Sequence, residues 1–507
     1  MGADNGPAHP WAGLLYWAER NPTKPAIVFD DRTISYADLA ERALRGAQYL
    51  RRLGLRTGDG IAVLAENHPE TLALFWAAQH AGLAYTAISA QFQRAEVQYI
   101  LADCEAKLVV SSATQREKTE GSPQPHRIDI AQWAELIAGE SATLPADAAE
   151  GAEMLYSSGT TGRPKGVRVS KAGAPLGTVS ELFKRRVALH RISRDTVYLS
   201  TAPLYHSAPL RYNAMVHRCG GTSIVMRKFE AEASLQLIER YRVTHSQWVP
   251  TMFVRLLRLP PEVRGRYDLS SHRVAVHAAA PCPVEIKRQM LEWWGPIVYE
   301  YYSGTEGNGQ TAISPEEWLA HPGSVGRPVL GEVHILDESG RELPPGATGL
   351  VYFAGGPRFE YFKDPEKTAA AYDARGWSTL GDIGHVDREG YLYLTDRSSH
   401  MIISGGVNIY PREVEDVLLG HPAVEDVAVF GVPNAEFGEE VKAAVQLVRR
   451  PDGTVPAVDV QELIDFCRAR LAHLKCPRSI DFHAELPRHQ TGKIYKAELK
   501  RPYWQTL

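Results

Sequence analysis

Short apolar runs of four or five residues recur along the first three hundred positions, most of them followed by a stretch with helical spacing. Ile61-Ala-Val-Leu-Ala65, Ala84-Tyr-Thr-Ala-Ile88 and Lys107-Leu-Val-Val-Ser111 are separated by helical segments from Pro69 to about Gly82 and from Ala95 to Cys104. Val197-Tyr-Leu-Ser200, Thr222-Ser-Ile-Val-Met226, His245-Ser-Gln-Trp-Val249, Val274-Ala-Val-His-Ala278 and Ile297-Val-Tyr-Glu-Tyr301 repeat the pattern, with helices expected over 231–241, from Pro250, and up to Trp294. Strands buried on both faces and joined through helices form parallel sheets covered by helices on each side. The fold class is therefore α/β. Upstream, Ser35 and Asp38 have the spacing of a capping box for a helix over 36–53, closed by Gly54. The polar stretch 112–149 is expected to be loop and short helix.

Interrupting this alternation is Tyr156-Ser-Ser-Gly-Thr-Thr-Gly-Arg-Pro-Lys-Gly-Val167. Gly159, Gly162 and Gly166 allow the backbone N–H groups to turn toward one point. Ser157, Ser158, Thr160 and Thr161 add hydroxyl donors, and Lys165 adds a compact cation. The composition suits a polyphosphate. It is not a Walker A loop, because Lys165 is followed by Gly166 and then by Val167-Arg-Val169, which reads as a strand where that motif opens a helix. A hairpin turn over a phosphate tail is the expected structure.

The 507-residue length requires more than one core, and 44% hydrophobic with 23% charged residues is ordinary globular composition. A net charge of −4 offers no attraction to nucleic acid or membrane surfaces. With no long apolar run and no basic-apolar leader, neither a membrane span nor secretion is expected. Cys104, Cys219, Cys282, Cys467 and Cys476 are scattered singly, which argues against a zinc site or disulfide framework and favours the reducing cytoplasm. From Gly323 to Tyr393, short strands between Gly/Pro turns suggest a small β-rich subdomain. After the charged break 395–400, about a hundred residues follow with their own pattern, including a helix from Pro411 and a strand Val424–Phe430.

Five further stretches join the glycine-rich loop: Tyr302-Ser-Gly-Thr-Glu306, Trp377-Ser-Thr-Leu-Gly-Asp382, Arg397, Ser404-Gly-Gly-Val-Asn-Ile-Tyr-Pro411 and Pro487-Arg-His-Gln-Thr-Gly-Lys493. In this order, over nearly the whole chain, they resemble the adenylate-forming superfamily of acyl-CoA synthetases, adenylation domains and luciferases. The resemblance implies a large adenylation domain (1–395) binding ATP and acid, a hinge (396–399), and a small mobile α+β domain (400–507). It implies ATP-dependent acid–CoA ligation through an acyl-adenylate, with Mg2+. The loop from Ser157 to Lys165 would hold the β- and γ-phosphates. Thr305 would donate to the α-phosphate, Glu306 would help hold Mg2+, Tyr302 would stack on adenine, and Asp382 with Arg397 would bind the ribose. Lys493 matches the family's mobile lysine, and Gly405 and Gly406 match a loop beside the incoming pantetheine of CoA.

Three positions depart from the family pattern: Ser399 at the hinge, where Asp or Lys is usual, Leu380 where Thr often stands, and Ser303 where Gly is usual. Pro203-Leu-Tyr-His-Ser-Ala-Pro-Leu-Arg-Tyr212 lacks the Asp that amino-acid-activating relatives use, so an acid without an α-amine is expected, either aryl (phenylpropenoic) or fatty. His206, Tyr212, Trp248, His277, Ala278 and Ala279 are the candidate pocket residues, and His277 is equally readable as a buried structural histidine. Alternatives are a stand-alone enzyme loading a carrier protein and a silent nucleotide-binding scaffold. The expected partners are small molecules, the acid and CoA, and monomer and homodimer are both open.

Overall fold

The computed structural model describes residues 11–157, 164–168, 172–397, 400–404, 407–434, 437–450, 453–488 and 494–504. A nine-stranded sheet has the spatial order Arg327–Leu330, Gln310–Ile313, Val298–Tyr302, Val274–His277, His245–Trp248, Val197–Ser200, Thr222–Val225, Pro25–Phe29 and Arg32–Ser35. Its six inner strands are parallel and its edges antiparallel. The second sheet has seven strands: Glu360–Tyr361, Lys165–Arg168, Ala152–Ser157, Ala84–Ile88, Gly60–Leu64, Ala106–Ser111 and His126–Asp129. The α/β expectation is met. The polar stretch before the glycine-rich loop nevertheless contributes the edge strand His126–Asp129, held in parallel register with Leu108–Ser111.

One apolar cluster takes Ile27 and Phe29 from the first sheet and Ile61, Val63 and Tyr85 from the second, so the two sheets share a helical layer. Helix Thr71–His80 is buried at every position, its polar Thr71, Gln79 and His80 included, while Tyr36–Arg52 carries the capping box at Ser35 and Asp38. Gly46 in that helix is required by close approach: a Cβ there would lie 2.7 Å from both Ala77 Cβ and the Trp133 ring. Helix Ser207–Arg218 also runs in this layer. Its Leu210 and Ala214 join the shared cluster, while Tyr212, Met215 and Val216 pack on the first sheet.

The β-rich subdomain is a four-stranded antiparallel sheet, Glu332–Leu336, Gly349–Ala354, Ser378–Val386 and Leu392–Arg397. Beyond it, Val407–Ile409, Ile402–Ser404, Gly438–Leu447, Val424–Asn434 and Ser479–His483 form a five-stranded sheet with its own core around Val414, Leu418, Val429, Val445 and Leu463. Arg258 at the end of helix Pro250–Leu257 pairs with Glu425 of this last sheet and donates to its carbonyl oxygen at 3.3 Å. Among the described residues, no helix is long and apolar enough to cross a membrane.

The large domain buries many ionisable rings. Burial pushes His80, His190 and His272 down to about 3 and His217 and His245 down to about 4. Each stays neutral in the fold but gains a proton near pH 6.5 when unfolded. Because the unfolded state then binds more protons, stability is complete above about pH 6.5 and declines as pH falls toward these lowered values. Each histidine contributes up to about 1.4 kcal/mol per pH unit. We expect the urea midpoint of the large domain to fall steadily from pH 7 to pH 5; a midpoint flat across that window would contradict the neutral burial of these rings.

Candidate active site

Strands Ala152–Ser157 and Lys165–Arg168 pair antiparallel, with Ser157 opposite Lys165 and Tyr156 opposite Gly166. The strands flanking the glycine-rich segment are therefore paired as the two arms of a hairpin, in keeping with its strand-like sequel. Ser158, Gly159, Thr160, Thr161 and Gly162 lie outside the described residues, as do Gly405, Gly406, Lys493 and Ser399 and the side chains of Ser157 and Arg397. The Tyr156 hydroxyl donates to Asp103 at 2.5 Å, fixing the hairpin to the helix Arg94–Asp103.

The two-residue strand Glu360–Tyr361 adds to the hairpin's outer edge, opposite Arg168 and Val167. This addition carries Tyr361 over the site. Lys165 Nζ lies 4.9 Å from the centre of its ring, and its hydroxyl donates to Glu306 Oε1 at 3.1 Å. Lys165 and Glu306 are 141 positions apart in sequence and belong to different sheets; Tyr361 joins them.

Glu306 sits in the loop that leaves strand Val298–Tyr302, at the carboxyl end of the first sheet, where open α/β folds gather ligands. The Ser303 hydroxyl donates to the Gly309 carbonyl at 2.8 Å and ties the loop's two ends together, a bond that the usual glycine could not make. At Gly304 a Cβ would lie 2.3 Å from Leu380 Cδ1 and 2.7 Å from Glu306 Oε2, so any larger residue would have to displace both side chains. Leu380 thus packs directly beneath the loop. The adjacent Thr379 supplies the hydroxyl, accepting from Gly381 N–H at 3.0 Å and donating to the Val351 carbonyl at 2.8 Å. Thr305 lies in the same loop and is partly exposed.

The Tyr302 hydroxyl donates to Asp382 Oδ2 at 2.5 Å. Asp382 is buried and stands opposite Arg397 in the antiparallel ladder. A carboxylate with one oxygen tied to a tyrosine can still accept from a diol with the other. Asn308, unremarked in the sequence, reaches Ser378 Oγ through its amide nitrogen at 3.0 Å, while its buried Oδ1 has no partner among the described residues.

The six pocket candidates separate. His206 caps helix Ser207–Arg218, edge-on to Tyr205. Tyr212 stacks on Tyr198 at 4.6 Å and shares a cluster with Ala278 on the inner face of the first sheet. Ala279 follows with φ 75°, a left-handed conformation costly for a residue with a Cβ and typical of functional turns. Trp248 and His277 face the opposite side, under the outer helices, because successive strand residues alternate faces. They therefore do not line a chamber with Tyr212. His277 Nε2 lies 3.3 Å from Glu300 Oε2, and Lys287 Nζ lies 2.6 Å from the same oxygen. Burial opposes ionisation of Glu300, but Lys287 and His277 outweigh it and hold the carboxyl down at about 2. This triad is structural support for the strand that carries Tyr302.

Tyr495, two residues beyond Lys493, lies within electrostatic reach of Tyr205 and Glu96.

Residues 14–358 match the AMP-binding enzyme family, and residues 413–493 match the AMP-binding enzyme C-terminal domain. A feruloyl-CoA synthase from Amycolatopsis sp is 33% identical over 97% of this chain and 99% of its own length. A 3-[(3aS,4S,7aS)-7a-methyl-1,5-dioxo-octahydro-1H-inden-4-yl]propanoyl:CoA ligase from Mycobacterium tuberculosis is 34% identical over 94% of this chain and 96% of its own. Among solved structures, ATP-bound MatB from Rhodopseudomonas palustris superposes with TM-score 0.83 at 30% identity, covering 97% of this chain and 99% of that one. With two family matches that together take in most of its length, the chain belongs to the AMP-binding enzymes.

Proposed function

We propose that this chain is an AMP-forming acid–CoA ligase. It joins a carboxylic acid to the α-phosphate of ATP, releasing pyrophosphate, and then passes the acyl group to the thiol of coenzyme A, releasing AMP. The observation that carries this reading is the meeting of Lys165, Tyr361 and Glu306 at the hairpin's base, next to the Tyr302–Asp382 hydrogen bond. Phosphate, metal and ribose ligands thereby adjoin one loop.

The first half-reaction brings an anionic carboxylate to a phosphorus surrounded by anionic oxygens, so fixed positive charge and donors are what the protein must supply. We assign the β- and γ-phosphates to Ser157, Ser158, Gly159, Thr160, Thr161, Gly162 and Lys165, and the α-phosphate to Thr305. The Tyr302 ring packs on adenine, and its hydroxyl orients Asp382 to accept from the ribose hydroxyls, with Arg397 beside it. Lys493 neutralises the reacting carboxylate and α-phosphate. A single carboxylate fits Mg2+, which takes most of its ligands from phosphates and water. Glu306 has Oε1 engaged by Tyr361 and Oε2 left for the ion, and no cluster of three acidic, His or Cys residues exists among the described residues. Bound there, the ion would screen phosphate charge.

His206, Tyr212, Ala278 and Ala279 border the acid, which carries no α-amine. The unit 400–507 turns about the hinge 396–399 so that Gly405 and Gly406 replace Lys493 beside the thiol, a domain rotation of recognised type. The Arg258–Glu425 contact belongs to the first of these orientations. All five cysteines are free, which suits the reducing cytoplasm.

The test is AMP release and CoA-thioester formation from a panel of aryl, phenylpropenoic and fatty acids with MgATP and no carrier protein; failure to form thioester from any acid would end this reading. Lys493→Ala should abolish adenylate formation while sparing thioester formation from a supplied acyl-adenylate, and equal loss of both steps would remove Lys493 from its assigned role. Asp382→Ala should weaken ATP binding by roughly 2–3 kcal/mol through loss of a charge-assisted contact, measured by calorimetry. Tyr361→Phe keeps the ring over Lys165 but removes the bond to Glu306. It should slow adenylate formation roughly tenfold, about 1.4 kcal/mol, and an unchanged rate would show that Glu306 needs no such orientation.

A further inference from the structure

Helix Glu181–Leu189 crosses the inner face of the first sheet and brings Arg186 to the polar end of the Tyr212 cluster. Arg186 Nε donates to Gln310 Oε1 at 2.8 Å, and its guanidinium carbon lies 4.7 Å from the centre of the Tyr301 ring. Among the described residues no carboxylate forms an ion pair with it. The nearest candidate, Glu153, is taken by Arg211, whose Nε lies 2.5 Å from its Oε2. Arg186 keeps accessible surface, yet it is enclosed enough for burial to lower its pKa. It is thus a half-enclosed cation beside the Tyr301 ring.

Gln310 is completely buried. Since Arg186 can only donate, the oxygen of the Gln310 amide must be the atom facing it, which fixes the amide's orientation. Its Nε2 is then left without a partner among the described residues. A half-buried cation with no carboxylate paired to it and a buried N–H2 lacking an acceptor among the described residues stand side by side, and the second is a costly arrangement. Both belong to the edge of the site. Gln310 precedes Thr311, which pairs with Tyr302, and Tyr301 precedes Tyr302 on the neighbouring strand. Across from them, the helix that begins at His206 supplies Tyr212, whose hydroxyl lies 3.3 Å from His190 Nδ1.

We propose that Arg186 and Gln310 form the far wall of the acid chamber, and that the acid activated by this chain carries an oxygen acceptor, an oxo group or a second carboxylate, at the end remote from the carboxyl joined to AMP. The inference rests on the acid–CoA ligase reading and narrows its substrate class. The wall offers only tethered donors, so an oxygen with lone pairs completes it. A plain hydrocarbon end would leave both donors stranded. A site built around hydrogen bonds discriminates strongly against the analogue that lacks the matching group.

The experiment measures kcat/KM for AMP release, with MgATP and CoA, on length-matched sets of unsubstituted monocarboxylic, ω-oxo and α,ω-dicarboxylic acids. At the best length, the oxo acid or the dicarboxylic acid should exceed the unsubstituted one by about 100-fold. The dicarboxylate leading indicates charge pairing with Arg186, and the oxo acid leading indicates hydrogen bonding alone; either supports the proposal. Arg186→Met and Gln310→Leu should each collapse that ratio toward one. Gln310→Glu, nearly isosteric, hands Arg186 an internal carboxylate and should suppress the dicarboxylate selectively. Because each ratio is taken within one variant, a loss shared by both acids cancels. Unsubstituted acids matching or surpassing their oxygenated partners at every length would overturn this proposal alone, as would ratios unmoved by all three substitutions. No AMP or thioester from any acid would overturn the ligase reading and this inference with it.

Discussion

The hydrogen bond from Tyr361 to Glu306 joins two sheets that also share a layer of helices and the side chain of Asn67, which donates to the Met226 carbonyl and accepts from Leu204 N–H. Tyr361 belongs to the edge of the seven-stranded sheet, by way of the hairpin that ends in Lys165. Glu306 belongs to a loop leaving the nine-stranded sheet. In the proposed function a nucleotide spans both sheets at this rim, where a gap would otherwise separate them. A two-residue strand closes it. The cation of Lys165 against the ring's face and the carboxylate at the ring's hydroxyl place opposite charges on either side of one rigid, planar group.

Around this junction the remaining parts take their places by packing. The loop 303–309 is held from within by Ser303 and from below by Leu380, so its shape follows from a hydroxyl bond and a methyl contact. Asp382 comes from a third sheet and is reached by the hydroxyl of Tyr302. Three sheets thus each deliver one edge to a common rim. The buried Lys287–Glu300–His277 group lies on the outer side of the same strand that carries Tyr301 and Tyr302. Pairing keeps that charge tolerable in the core and gives the strand a specific rather than a greasy backing.

Much of this was legible in the residues. The capping box at Ser35 and Asp38, the apolar runs bounded by Gly and Pro, and the hairpin implied by Gly166-Val-Arg168 all depend on local chemistry, which sequence carries directly. Helix Ser207–Arg218 was not read from the residues; its Pro209 sits in the first turn, where proline is tolerated. Glu360–Tyr361 is too short to carry any periodicity and exists only because the hairpin edge is there to receive it. The pocket candidates failed to gather for a different reason. Each is near a strand end, but which face a residue takes depends on the pleat's phase, and Trp248 and His277 fall out of phase with Ala278. Leu380 and Ser303 look like departures along the chain and become packing and bonding choices once Gly304 and Gly309 are beside them.

The link between Arg258 and Glu425 has a bearing on how the two parts of the chain can trade positions. Both side chains remain well exposed, at 36% and 29%, so water and salt compete for each of them. A contact of that kind selects an orientation while holding it only lightly. Had the same surface been closed by interlocked apolar side chains, leaving it would mean wetting them, and turnover would stall at that step. Under the proposed rotation of 400–507, a replaceable ion pair in that seat would let the small unit lift away and settle again without refolding anything.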